Sequence, residues 1–285
     1  MIEIKNLSFS YKKTPVFNDI NLSFPQGGIY GLLGENGVGK TTLLKIMCGL
    51  QCPGMGICTV DGLTSHDRLP EMLQRIVFLP DEVTLPDNAT PQKYVNELAP
   101  FYPNFSQGSF LHLMQELEVE PDRKFKEMSF GQQKKSLIAA SLSLGTDYIL
   151  LDEPTNGLDI PSKAQFRSIL SKRAEEDSTI IISTHQVKDV ENLIDPIVIL
   201  SHNAVLLDAS VQRITEKLFF EYGGEERSDA LYSEMLPGGY MNVIPNPGLG
   251  GATEGSNAQY ESLINIEALF NAVLRNKDRI NELFK

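Results

Sequence analysis

The 285-residue sequence has no run of about 18 or more apolar residues, so no segment is expected to cross a bilayer as a helix. Its first residues, Met1-Ile2-Glu3-Ile4-Lys5, offer neither the basic start nor the apolar stretch of a signal peptide, which leads to an expected cytoplasmic location. Positive charge is in deficit: 25 Lys and Arg stand against 37 Asp and Glu, for a formal net charge of −12. That balance argues against a broad nucleic-acid footprint and leaves room only for a local basic patch. Cysteine is scarce, with Cys48, Cys52 and Cys58 close together. An odd, small number in such a chain suggests free thiols, because a zinc site would want a fourth ligand and His66 is the nearest other candidate. What remains is ordinary for a globular protein, 41% hydrophobic and 22% charged, and the length suits one large domain with a smaller appendage.

The most informative stretch is Gly34-Glu35-Asn36-Gly37-Val38-Gly39-Lys40-Thr41-Thr42, which fits G-x-x-x-x-G-K-[ST]. The apolar run Ile29–Leu33 before it reads as a buried strand, and Leu43–Cys48 after it reads as a helix. Glycines let backbone N–H groups turn toward phosphate oxygens, and a helix N-terminus adds partial positive charge beneath them. In that setting Lys40 would reach the β and γ phosphates of a nucleotide and the Thr41 hydroxyl would ligate Mg²⁺. A plain Gly-rich turn is the alternative, and the Lys-Thr pair with both flanks in place disfavours it.

Around this motif the chain alternates strands and helices. Residues 2–24 read as two antiparallel strands about a turn at Tyr11-Lys12-Lys13-Thr14-Pro15, where Tyr11 could stack on a base or simply pack. Further strands are expected at Cys58–Val60, Arg75–Pro80, Tyr148–Leu151, Thr179–Ile182, Ile197–Leu200 and Ala204–Leu207. Residues 84–128 carry five prolines and read as a small helical insertion, with Thr90-Pro91 as N-cap and first helical residue. His112 in that insertion reads as surface or packing. Ser129 opens a helix that runs to about Leu144, residues 161–176 read as another, and a third is expected near Val187–Ile194. After Arg213 the pattern loosens into strands at Phe219–Tyr222 and Tyr240–Ile244, a Gly/Asn/Pro-rich loop at 245–257, and an amphipathic helix through Ile266, Leu269, Phe270, Val273 and Leu274. Helices alternating with apolar strands imply a mostly parallel α/β sheet.

The strand Tyr148–Leu151 ends in Asp152-Glu153-Pro154, which places two carboxylates at its C-terminal edge. Asp152 would hold Mg²⁺ beside Thr41, and Glu153 would act as base toward a water. With these residues the sequence resembles the separate ATP-binding subunit of an ABC (ATP-binding cassette) transporter over about residues 1–212. Tyr11 corresponds to the adenine-stacking aromatic, and Gly34, Asn36, Gly37, Gly39, Lys40, Thr41 and Thr42 to the P-loop. Ser129, Gly131 and Gln132 correspond to the signature motif, Gly157-Leu158-Asp159 to the D-loop and His185 to the switch histidine. The resemblance implies a P-loop NTPase fold of ABC type, with a mostly parallel sheet, an antiparallel β subdomain and a helical subdomain at about 84–145. Residues 213–285 then form a small α+β extension.

It also implies ATP and Mg²⁺, and catalysis by Glu153, His185 and Lys40. A second ATP-binding subunit would complete the site, as homodimer or heterodimer, because each ATP lies between one P-loop and the other subunit's signature. Multi-spanning permease subunits would hold the chain on the inner face of the cell membrane. Docking would use residues 81–105, where Phe101, Tyr102 and Phe105 either line a groove or pack the small subdomain. Two positions depart from the family pattern. Phe130 replaces the first signature glycine, adding bulk and restricting φ. Asp81 stands where a glutamine usually follows the Leu79-Pro80 strand end, and is a candidate Mg²⁺ ligand. The acidic balance, single cassette and lack of heptads favour a transport motor over a soluble ABC ATPase acting on nucleic acid or ribosomes. The short extension resembles that of export-type subunits.

Overall fold

The computed structural model describes residues 1–174, 178–247 and 263–284. Its central wall is a six-stranded sheet. Five strands are parallel: β3 (Ile29–Leu33), β6 (Ile76–Leu79), β7 (Tyr148–Asp152), β8 (Thr179–Thr184) and β9 (Ile197–Ser201). The edge strand β10 (Ala204–Ala209) runs antiparallel to β9, and the order is β10-β9-β3-β8-β7-β6. Every residue of β3, β7 and β8 is buried, as expected of β-branched and apolar strands covered on both faces. Side-chain alternation divides the interior in two. Tyr30, Leu32, Tyr148, Leu150, Ile181 and Val198 face one core, while Ile29, Leu33, Ile149, Leu151, Ile180 and Ile182 face the other.

The first core is closed by the antiparallel sheet β2-β1-β4-β5. It comprises β1 (Ile2–Tyr11), β2 (Thr14–Phe24), β4 (Met55–Val60) and β5 (Leu63–Thr64). Between this sheet and the wall lies α1 (Lys40–Met47), which buries Leu43, Leu44, Ile46 and Met47. Helix α2 (Pro70–Leu73) leads into β6.

The helical insertion covers the other core with α3 (Pro91–Leu98), α4 (Gln107–Glu116) and α5 (Phe130–Ser143). Thr90 caps α3 by accepting from the Lys93 N–H, with Pro91 in the first turn, as the sequence implies. His112 is exposed on α4 and lies beside Glu116 one turn on. Helix α6 (Ile160–Ala174) then packs its Phe166, Ile169 and Leu170 into the same core.

The expected helix at Val187–Ile194 is not formed. A single 3₁₀ turn, Val187–Asp189, is followed by hydrogen-bonded turns into Pro196. Val187, Val190 and Ile194 are all buried, so the helix-like apolar spacing reports core contacts made by a turn that must end before β9. Beyond β10, α7 (Val211–Lys217) spans position 212 and joins the cassette to the extension as one continuous helix. The extension is a three-stranded antiparallel sheet, order β11-β13-β12, formed by β11 (Leu218–Gly223), β12 (Tyr232–Leu236) and β13 (Gly239–Pro245). β12 had no signal in the sequence because Ser233 and Glu234 interrupt its apolar residues. α8 (Ile266–Arg275) and α9 (Lys277–Phe284) complete the chain, and Ile266, Leu269 and Val273 of α8 join the core shared with the helical insertion. Most of the loop read at 245–257 lies outside the described residues.

Candidate active site

The P-loop links the C-terminal end of β3 to α1. Gly39, the residue before α1, has φ of 110°, a left-handed conformation that favours glycine. A Cβ there would stand 2.6 Å from Val16 Cγ1 and 2.7 Å from Phe17 Cζ, so both backbone angle and space require glycine. Lys40 is only 6% exposed, and its Nζ donates to the carbonyls of Gly34 at 2.8 Å and Glu35 at 3.2 Å, the first two residues of the loop. Burial pushes the Lys40 ammonium below the usual lysine range, and the Glu153 and Asp152 carboxylates partly restore it. Tyr11 stands at the rim with its ring half exposed, edge-on to Phe9, and its hydroxyl 3.3 Å from Thr42 Oγ1. The structure therefore brings Tyr11 to the P-loop and leaves ring surface open there.

Parallel pairing of β7 with β8 delivers the acidic pair to this loop. Thr41 Oγ1 donates to Asp152 Oδ2 at 2.6 Å, and the Ser183 hydroxyl donates to Asp152 Oδ1. Glu153 is buried and takes φ of 44°, a left-handed backbone that costs about 1–3 kcal/mol for a non-glycine residue. Its surroundings hold it there: its N–H donates to Ser183 O at 2.9 Å, and the Thr184 hydroxyl donates to Oε2 at 3.0 Å. The His185 N–H donates to Oε1 at 3.1 Å, His185 Nδ1 lies 2.7 Å from the same oxygen, and Lys40 Nζ is 3.7 Å away. Lys40, Thr41, Asp152, Glu153 and His185, scattered over 146 positions of sequence, thus meet at one sheet edge. Ser183 and Thr184 were not read as functional, although hydroxyls at the C-terminal end of a parallel strand are a usable signal.

The oxygen set fits Mg²⁺. Thr41 and Asp152 supply a hydroxyl and a carboxylate at mutual contact, while no cluster of three or more His, Cys, Asp or Glu suited to a metal exists among the described residues. Two hard oxygen ligands from the protein, with water and phosphate oxygens for the rest, is the coordination Mg²⁺ prefers.

Asp81, the remaining candidate Mg²⁺ ligand, stands apart from these residues. Its carboxylate does not join the Thr41–Asp152 pair. Lys134 Nζ of α5 donates to the Asp81 carbonyl at 2.8 Å and lies 3.4 Å from Oδ1, and Asn156 Nδ2 lies 3.2 Å from both carboxylate oxygens. The Lys134 side chain is 2% exposed, and burial holds its ammonium below the usual range against the pull of Asp81. Gln186 Nε2 extends the chain of contacts by donating to Asn156 Oδ1 at 3.0 Å. Asp81 is therefore a link between α5, the loop after Glu153 and the loop after His185. Lys134 carried no sequence signal, since a lysine among Gln132, Gln133 and Lys135 reads as exposed.

Ser129, Gly131, Gln132 and Asp159 gather on a second surface, and none of their hydrogen bonds among the described residues reaches the P-loop. Ser129 caps α5: its hydroxyl accepts from Gln132 N–H at 3.2 Å, and Gln132 Oε1 accepts from Ser129 N–H at 3.1 Å. This is a capping box, which leaves the Ser129 O–H and the first N–H groups of α5 as free donors on an exposed helix start. Asp159 accepts from Ser162 N–H at 2.9 Å at the start of α6, and hydrogen bonding from the Ser162 hydroxyl, with this N–H beside it, holds its carboxyl below the usual range. Phe130 meets no backbone conflict, because it occupies the first turn of α5 with ordinary φ. Its ring lies over Gly157, where a Cβ would sit 2.3 Å from Phe130 Cδ1. Cys48 and Cys58 are buried free thiols pushed up to about 11 and about 12 by desolvation, and Cys52 is exposed.

The chain matches the family model described as "ABC transporter" over residues 17–156. It is 31% identical over 206 residues to the ABC transporter ATP-binding protein YtrB of Bacillus subtilis, covering 72% of this chain and 70% of that one. It is 29% identical over 238 residues to the lantibiotic transport ATP-binding protein SrtF of Streptococcus pyogenes, covering 83% and 97%. Among solved structures it shares its fold with a dimeric ATP-binding cassette in a post-hydrolysis state with ADP and Pi, at a TM-score of 0.66 and 24% identity, covering 74% of this chain and 99% of that one.

Proposed function

The chain belongs to the ABC transporter family, and from that premise we propose that it is an ATP-hydrolysing subunit that closes on a second cassette and drives export through separate membrane subunits. The observation that carries this reading is the meeting of Lys40, Thr41, Asp152, Glu153 and His185 at the C-terminal edge of β3, β7 and β8. In the proposed mechanism the P-loop N–H groups and Lys40 bind the β and γ phosphates of ATP and neutralise charge that develops in transfer. Thr41 and Asp152 would hold Mg²⁺, which supplies charge stabilisation at the phosphates. Glu153 accepts a proton from the attacking water, and His185 fixes that carboxylate through Nδ1 and its own N–H. Tyr11 stacks on the base.

Ser129, Gly131, Gln132 and the free N–H donors of α5 lie away from this P-loop, so they serve the nucleotide of an opposing cassette, with Asp159 beside them. The signature helix is a built anion site that its own chain does not fill. No helix among the described residues is long and apolar enough to cross a membrane; in this reading the translocation path belongs to separate permease subunits, and the chain sits against their cytoplasmic face. Their docking place is a cleft of about 470 Å³ lined by Leu50, Arg68, Leu73, Phe78, Phe101 and Tyr102. Phe101 is 68% exposed there, whereas Phe105 does not line the cleft and packs toward the core. The direction of export rests on likeness to the lantibiotic transport subunit.

The test is Glu153→Gln. It keeps Lys40, Thr41 and Asp152, so ATP should still bind, while hydrolysis should fall about 10²–10⁴-fold. An ATP-bound dimer should then accumulate, read by light scattering with and without MgATP. A variant that stays monomeric when saturated with ATP removes the homodimer from this reading, and one that hydrolyses at the wild-type rate removes Glu153 as base.

A further inference from the structure

We propose that α8 of the C-terminal extension is a positioning element for His185, clamping the turn that follows this histidine and thereby setting the hydrolytic rate from outside the nucleotide site. The inference rests on the ATPase reading above. Three sets of contacts carry it. Val187, Val190 and Ile194 of the turn are buried in one core with Ile266, Leu269 and Val273 of α8, which packs directly on the 3₁₀ turn. The polar contacts lie over this apolar seam. The Ile266 N–H donates to Glu191 Oε1 at 2.9 Å, so a carboxylate of the turn satisfies a free donor at the positive end of α8, beside the Asn265 cap. Lys188 Nζ lies 2.7 Å from Glu267 Oε2 in the first turn of α8.

From the opposite side α6 holds the same turn, with Lys163 Nζ 2.7 Å from Asp189 Oδ2 and Arg167 donating to the Asp189 carbonyl at 3.2 Å. The turn is therefore gripped between a helix of the cassette and a helix of the extension. The path to the reacting group is short. Val187 follows His185 by two residues, and the intervening Gln186 is fastened by its N–H to Thr184 Oγ1 at 2.9 Å and by Nε2 to Asn156 Oδ1 at 3.0 Å. A displacement of the turn reaches the His185–Glu153 contact without an intervening flexible segment. The main contacts of α8 are with α9, β9, β10, β12, β13 and this turn, so displacement should leave P-loop binding of ATP intact.

The experiment uses the full chain and compares wild type with Lys188→Glu and with Lys188→Glu/Glu267→Lys. Lys188, itself exposed, faces the carboxylates of Glu267, Glu234 and Glu191, so a glutamate there meets three like charges and loosens the polar contact between the turn and α8. The expected result is a kcat for ATP lowered about tenfold, the scale at which sub-ångström misplacement is felt, with KM within about twofold. The double variant should recover most of kcat. A second variant, Glu191→Ala, removes the acceptor for Ile266 N–H without adding charge, and should lower kcat less, with recovery in Glu191→Gln. A wild-type kcat in Lys188→Glu overturns the proposal, as does a double variant no faster than the single, or a fall in kcat matched by a fall in ATP-binding stoichiometry. Wild-type hydrolysis is read first: its absence overturns the ATPase reading and this inference together, whereas an active wild type with an unaffected Lys188→Glu overturns this inference alone.

Discussion

Asp81→Asn should destabilise the folded chain more than Lys134→Met does, although each removes one partner of the same ion pair. The Lys134 side chain is 2% exposed and that of Asp81 37%. Lys134→Met exchanges a buried ammonium for an apolar chain of similar length, an exchange that is often near neutral, and loses one hydrogen bond to the Asp81 carbonyl, for a net cost of about 0–1 kcal/mol. Asp81→Asn leaves the ammonium buried without its nearest anion. Breaking a fully buried pair costs about 3–5 kcal/mol. Asp81 is more than a third exposed, and Lys134 keeps its carbonyl bond and the fields of Asp152 and Glu153, so solvent screening and residual partners reduce the figure to about 1–2 kcal/mol. In a chain of this size that corresponds to a drop of roughly 2–8 °C in Tm. The double variant should resemble Lys134→Met alone.

The pH dependence supplies a second reading of the same pair. Burial depresses the folded-state pKa of Lys134, so between that value and the unfolded value near about 10.4 the unfolded chain binds more protons and stability rises with pH. Removing the Asp81 charge depresses the folded value further, and the rise begins at lower pH. The deficit of Asp81→Asn against wild type should therefore shrink from pH 7 toward about pH 10. Thermal melts of the four proteins at pH 7 and pH 9 measure both effects. An Asp81→Asn protein as stable as Lys134→Met at pH 7, or a deficit that widens with pH, would refute the buried-pair account.

Two further outcomes are expected from the site and the cleft. Lys40→Ala should sharply weaken ATP binding by isothermal titration, and Tyr11→Ala should weaken it less, by about 1–3 kcal/mol for a lost base–aromatic stack; unchanged affinity in Lys40→Ala would sink the P-loop assignment. A photo-crosslinker at Phe101, the most exposed aromatic of the docking cleft, should capture a membrane subunit in an intact complex, and one at buried Phe110 should not; equal yields from both would count against the cleft as docking place.

Much of this molecule was legible along the chain because its signals are local. The strand Ile29–Leu33, the glycines around Gly39 and the helix after Lys40 are fixed by neighbours in sequence, as are the apolar strand ending at Asp152 and the cap at Ser129. The side-chain types at those points also declare their chemistry, since a lysine and a hydroxyl beside clustered glycines, or two carboxylates at a strand end, have few other uses. Phe130 was misjudged as a backbone problem because its place in the first turn of α5 depends on the cap one residue earlier, where any residue takes a helical φ.

What the tertiary structure alone decided is which charged side chains are buried and what they face. Lys134 and Lys135 are adjacent and chemically alike, yet only Lys134 turns inward to Asp81, because α5 presents that position to the loop after β6. Val187, Val190 and Ile194 have helical spacing, yet they fold as a turn, and their burial comes from a core they share with Ile266, Leu269 and Val273 of α8. Sequence fixes local backbone preference and chemical type. Partners brought in from tens or a hundred residues away set the dielectric and the geometry around each group, and these determine whether a carboxylate serves as metal ligand, base or structural link.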